Sequence, residues 1–172
     1  KKELTRRSFL KLAGVGTLAV AMSGSLTGCD VIDNLKDMDS VSAAIGDVKF
    51  MLSASVWVNN GSNGMSYQPT CEIRNNSKKA VTYGGSGSNC EVIITGVLTD
   101  KNGKEYPMTY VGENGSAPAG EKYEVKDFKL VAVGEELHME GSKVVTTFTY
   151  NGRKAVFTEY NDGNITSKVE SK

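Results

Sequence analysis

Residues 47–58, Asp-Val-Lys-Phe-Met-Leu-Ser-Ala-Ser-Val-Trp-Val, decide the fold class. Val48, Phe50, Leu52, Ala54, Val56 and Val58 fall on one side of a two-residue period, and Lys49, Ser53 and Ser55 fall on the other. That alternation belongs to a half-buried β-strand. Trp57 stands in the polar register, which reads as a surface contact.

The same period continues downstream. After a turn at Asn59–Gly64, a second strand covers Tyr67–Arg74 with Cys71 and Ile73 inward, Asn75-Asn76-Ser77 turns the chain, and Lys78–Tyr83 forms a short third strand around Val81. Gly84–Asn89 (GGSGSN) offers almost no side chain to pack and reads as a mobile loop. Cys90–Thr99 (CEVIITGVLT) is the most apolar run and reads as a central strand. It turns at Asp100–Gly103 and returns as Lys104–Val111, where Pro107, lacking an N–H, argues for an edge position. Gly112–Gly120 is loop-like. In Glu121–Val133 the apolar side switches from Tyr123 and Val125 to Phe128 and Leu130, the mark of a bulge. The last hairpin runs Lys143–Tyr150, then Asn151-Gly152, then Arg153–Tyr160; Asn-Gly at two central positions specifies a type I′ turn.

This pattern gives seven to eight strands, with turn signals every ~10–15 residues, and predicts an all-β antiparallel sandwich. The opening Gly-Asp-Val-Lys-Phe, the strand ending at Arg74-Asn75-Asn76-Ser77, the run into Asp100-Lys101-Asn102-Gly103-Lys104-Glu105-Tyr106, the Ala119-Gly120-Glu121 turn and the closing Asn-Gly hairpin resemble telokin-like, immunoglobulin-fold domains of unknown function in bacterial lipoproteins. The resemblance spans about Gly46 to Tyr160 and implies an immunoglobulin-like sandwich. Trp57 precedes both Cys71 and Cys90, an order that departs from the Cys, Trp, Cys order of antibody-type domains.

The N-terminal stretch reads as an address. Lys1, Lys2, Arg6, Arg7 and Lys11 face only Glu3, and a Gly-diluted apolar run follows over residues 12–26. Thr5-Arg6-Arg7-Ser8-Phe9-Leu10-Lys11 matches every position of the twin-arginine export pattern, with Arg6, Arg7, Phe9 and Leu10 as its core. Leu26-Thr27-Gly28-Cys29 resembles the bacterial lipobox, which implies cleavage before Cys29 and a lipid on its thiol. At about 0.8 kcal/mol per buried CH₂, two or more acyl chains hold a protein firmly on a membrane.

The expected organisation is therefore a cleaved signal over 1–28, a lipidated tether over 29–46, a β-sandwich over 47–160 and a polar tail over 161–172. In the tether, Val31, Leu35 and Met38 make a thin apolar stripe among four Asp, which favours a solvated linker over a packed helix. The whole chain balances 20 basic against 20 acidic side chains; cutting off residues 1–28 removes five basic and one acidic and leaves 144 residues at a net charge of −4. Such a domain has no electrostatic footprint for nucleic acid.

Few residues can carry chemistry. After lipidation, Cys71 and Cys90 are the remaining thiols. Paired outside the cytoplasm they would close a loop worth roughly 3 kcal/mol, and unpaired they would act as small apolar residues. Both alternatives stand. His138 is the single imidazole and reads as exposed between acidic neighbours. Asp100–Gly103 and Asn161–Asn164 have too few carboxylates for calcium and read as turns. No phosphate loop, dinucleotide motif, haem motif or paired-Cys metal site is present, so neither a cofactor nor a catalytic set is expected. The expectation is a non-enzymatic domain on the extracytoplasmic face of the cell membrane, anchored through Cys29. It would bind a protein or polymer partner by strand edges and by the loops around Gly61 and Gly85. The alternative is a small-molecule-binding or sensing subunit of a neighbouring transporter or enzyme.

Overall fold

The computed structural model describes residues 40–60, 64–134, 137 and 139–171. The export signal, Cys29, most of the tether, Gly61 and His138 lie outside the described residues. Within them the chain is all-β, with strands β1 (Val41–Ile45), β2 (Val48–Asn59), β3 (Met65–Asn75), β4 (Val81–Gly85), β5 (Val92–Thr99) and β6 (Glu105–Tyr110), then β7 (Gly115–Ala117), β8 (Lys122–Val125), β9 (Leu130–Ala132), β10 (Lys143–Tyr150), β11 (Arg153–Tyr160) and β12 (Ile165–Glu170).

The strands form one path, β1-β2-β3-β9-β6-β5-β10-β11-β12, antiparallel throughout. Off it, β8 pairs with β3, and β4 runs parallel to β5 and antiparallel to β7. The path folds over on itself. Phe50 of β2 stacks on Phe148 of β10 at 4.8 Å between centroids, and Phe148 meets Phe157 of β11 edge-on at 5.6 Å. β9 joins the two layers at one side by pairing with both β3 and β6. At the other side the free edges approach each other, and Ser167 Oγ of β12 donates to the Ser42 carbonyl of β1 at 2.8 Å. The result is a barrel-like double layer around an apolar core.

Among the described residues twelve strands replace the expected seven to eight, and the added ones are short. β1 occupies the end of the stretch read as tether, joined to β2 by the two-residue turn Gly46-Asp47, with Gly46 at φ +60°. β12 occupies the stretch read as a polar tail. Its sequence, Ile-Thr-Ser-Lys-Val-Glu, has no continuous apolar face, and backbone pairing to β11 makes it a strand. Gly84 and Gly85, read as part of a mobile loop, end β4 instead. A Cβ on Gly84 would come within 2.3 Å of the Asn114 side chain, so close packing explains the glycine there.

Two readings are met closely. Asn151 (φ 50°) and Gly152 (φ 73°) make the two-residue turn between β10 and β11, with Tyr150 facing Arg153. β5 is central, paired along its whole length with β10 and also with β6 and β4. β6 is not an edge strand, because β9 flanks it, but that pairing begins only at Met108. Pro107 thus has β5 on one side and no ladder partner on the other, which accommodates its missing N–H.

Candidate functional site

The most informative irregularity lies where β2, β3 and the β8–β9 connection meet. β2 and β3 pair Ser53 with Thr70 and then Val56 with Gln68, so Ala54 and Ser55 together oppose Pro69. Proline cannot donate to a ladder, and a bulge on the facing strand removes the demand. On the other flank, Cys71 pairs with Val125 and Tyr67 with Leu130. Four residues, 126–129, there face the same three of β3, and Asp127 takes φ 52°. The bulge expected in Glu121–Val133 is this one.

The bulge in β2 reverses the faces of its second half. Val48, Phe50 and Leu52 are buried as expected, but Ser55 and Trp57 then turn inward while Val56 and Val58 are 50% and 37% exposed. Trp57 is therefore not a surface contact. Its ring meets Tyr67 edge-on at 5.6 Å, and its indole N–H donates to Ser55 Oγ at 3.1 Å. The side chain of Ala54 lies outside the described residues.

Ser55 and Tyr67 converge on Glu159 of β11, a carboxylate only 3% exposed. Ser55 Oγ donates to Oε1, and Tyr67 OH donates to Oε2 at 2.6 Å. A polar side chain buried in a core is costly unless its oxygens are hydrogen-bonded, and here both oxygens have a donor. The indole N–H orients the Ser55 hydroxyl, completing the chain Trp57, Ser55, Glu159, Tyr67. Being buried, these groups clamp β2, β3 and β11 together and present nothing to a solvent-borne substrate. Sequence reasoning missed them. The available signals were Pro69 inside an otherwise regular strand, and Glu159 in the inward register of Ala155 and Phe157.

On the outside of the same region is an open cleft of about 290 Å³. Gln68 and Thr70 of β3 form its floor, Val56 one wall, and Lys126, Asp127 and Phe128 the other. Val56, turned out by the bulge, and the neighbouring Val58 give this side an apolar margin.

Cys71 and Cys90 are both free thiols in the structure. Cys71 is fully buried on β3, and burial, assisted by the neighbouring Glu72 charge, pushes its thiol well above the ordinary range. Cys90 is half-buried before β5. Close to Cys71 lie Tyr83 and Tyr110. Burial raises both phenols, Tyr110 up to about 12, and Tyr83 is raised further by its hydrogen bond with Tyr123.

The oxygen-rich turns are used locally. Asp100 Oδ1 accepts from the backbone N–H groups of Asn102 and Lys104 at 2.8 and 2.9 Å, and Asp162 accepts from Asn164 N–H at 2.9 Å. Among the described residues no group of three or more His, Cys, Asp or Glu side chains could hold a metal ion. No family model, curated protein or solved structure matches this chain.

Proposed function

We propose that this chain is an exported, non-enzymatic lipoprotein whose immunoglobulin-like β-domain holds a protein or polymer partner at the extracytoplasmic face of the cell membrane. Cys29, behind the twin-arginine residues Arg6 and Arg7 and the lipobox, supplies the anchor. The immunoglobulin-like reading is supported by β2-β3-β8 lying across from β5-β10-β11 with Phe50 on Phe148 between them.

The observation that carries the partner reading is the outward turn of Val56 and Val58 beside the cleft. Two exposed β-branched residues in one strand, next to polar groups of both charges, suit an extended or flat partner surface. The cleft volume lies just below the ~300–1,000 Å³ of small-molecule pockets, and its openness leaves little of a small ligand covered, which favours the partner over the sensing alternative.

A photo-crosslinking residue at Val56, expressed in intact cells, tests this. Adducts are expected at Val56 and not at Lys154 on the opposite layer, and Val58→Asp should abolish them. Equal adducts at both positions, or none above background, would reject the reading. Membrane fractionation checks the anchor: Cys29→Ala should move the protein to the soluble fraction.

A further inference from the structure

The end of the β2-β3-β8 layer away from Val58 carries a charge pattern that meets the cleft only at Glu124. Lys49 pairs with Arg74, and Arg74 with Lys122, so three cations stand side by side across three strands on the outer face. Two residues along, Met51 pairs with Glu72 and Glu72 with Glu124, which puts two anions in the next outward row. Like charges directly opposite each other weaken a ladder, and both rows pay that cost. Relief within the chain is partial. Lys122 Nζ reaches Glu72 Oε2 at 2.8 Å, whereas Glu72 Oε1 has no donor and the exposed Arg74 has no ion-pair partner among the described residues.

We propose that this face is a two-fold interface between two copies of the chain. Successive outward rows lie ~7 Å apart. A two-fold axis running across the strands, midway between the rows, lays the cation row of one copy over the anion row of the other. It sets Arg74 against Glu72 and Lys122 against Glu124, each pair occurring twice because the contact is isologous. A two-fold along the strands would lay cations on cations and is excluded by the same charges. An anionic polymer lying on the cation row would meet Glu72 and Glu124 one row away, so the pattern suits a second copy better. The proposed contact needs neither the anchor nor the outward Val56 and Val58, and shares only Glu124 with the cleft.

Lys122 and Glu124 are both exposed, so exchanging their charges spares the core. Sedimentation velocity of the purified chain at low ionic strength, where the Debye length is about 30 Å, should show a dimer that dissociates in high salt. Lys122→Glu alone and Glu124→Lys alone each place like charges together twice and should weaken association ~tenfold or more. Mixing the two variants should restore a dimer, because each charge then meets its opposite in the other chain. A monomer at every concentration of the unmodified chain, variants that dimerise unchanged, or a mixture that stays monomeric would each overturn the proposal. Should a variant fail to fold by circular dichroism, the unmodified chain still decides. Carbodiimide crosslinking of an equal mixture of ¹⁵N-labelled and unlabelled chains should yield mixed-isotope peptides joining Lys122 to Glu124, and their absence would count against the interface.

Discussion

Ser55 Oγ donates to Glu159 Oε1 between residues 104 positions apart in the chain. That contact exists because a bulge opposite Pro69 turns Ser55 inward, so one proline on β3 decides which face of β2 meets β11. It also explains why a hydroxyl and a carboxylate occupy a largely apolar core. The acid is held by donors from two strands of the facing layer, and the three elements are locked in one register.

Glu159→Gln should therefore destabilise the fold by about 1–3 kcal/mol, because the amide nitrogen cannot accept the hydroxyl hydrogen that one carboxylate oxygen now takes. Glu159→Leu should cost more, leaving the Ser55 and Tyr67 hydroxyls without their acceptor. Adding Ser55→Ala and Tyr67→Phe to Glu159→Leu should recover part of the loss, since two stranded hydroxyls are removed while one donor, the Trp57 indole N–H, loses its acceptor. Urea denaturation of the series checks this. Strictly additive losses would show that the three side chains do not act as a unit.

How far the fold could be read from the sequence follows from the range of the interactions that set each part. The hairpin over residues 143–160 was legible because Asn151-Gly152 and the flanking alternation are local. The second half of β2 was misread because its register depends on Pro69, a residue of another strand. β12 was hidden because its strand character comes from β11 and not from an apolar face of its own. Of the buried polar cluster, Glu159 could have been placed inward from Ala155 and Phe157. Its donors, 92 and 104 residues away, could not.

The hairpin turn should tolerate substitution unequally. Asn151 and Gly152 both have positive φ, which asparagine bears with little strain and β-branched residues bear poorly. Gly152→Val should cost ~1–2 kcal/mol and lower the urea midpoint by roughly 0.5–1 M, whereas Asn151→Gly should leave it nearly unchanged. Equal midpoints for the two variants would mean that the turn does not hold the I′ geometry in solution.

The two thiols should differ sharply in reactivity. In a Cys29→Ser chain, iodoacetamide at neutral pH should label Cys90 in the native protein, which is half-buried, and leave Cys71 untouched. Cys71 has no exposure, and its raised pKa keeps thiolate scarce. Mass spectrometry should find one adduct natively and two in urea without reductant. No adducts in urea would mean that the pair is oxidised under those conditions.

Alkaline pH should weaken the fold through the buried phenols. Tyr110 is raised to about 12 chiefly by burial, and Tyr83 is raised as well, whereas an unfolded tyrosine titrates near 10. Between those values the folded state keeps protons that the unfolded chain has released. Stability is therefore fully present below about pH 10 and is lost as pH rises toward and through about 12. Urea midpoints should hold steady up to about pH 9.5 and then fall. Tyr110→Phe should shrink that fall, because Phe has no proton to lose and would give up only the hydroxyl's bond to the Glu113 carbonyl at 3.1 Å. An unchanged alkaline slope in Tyr110→Phe would place the titration elsewhere.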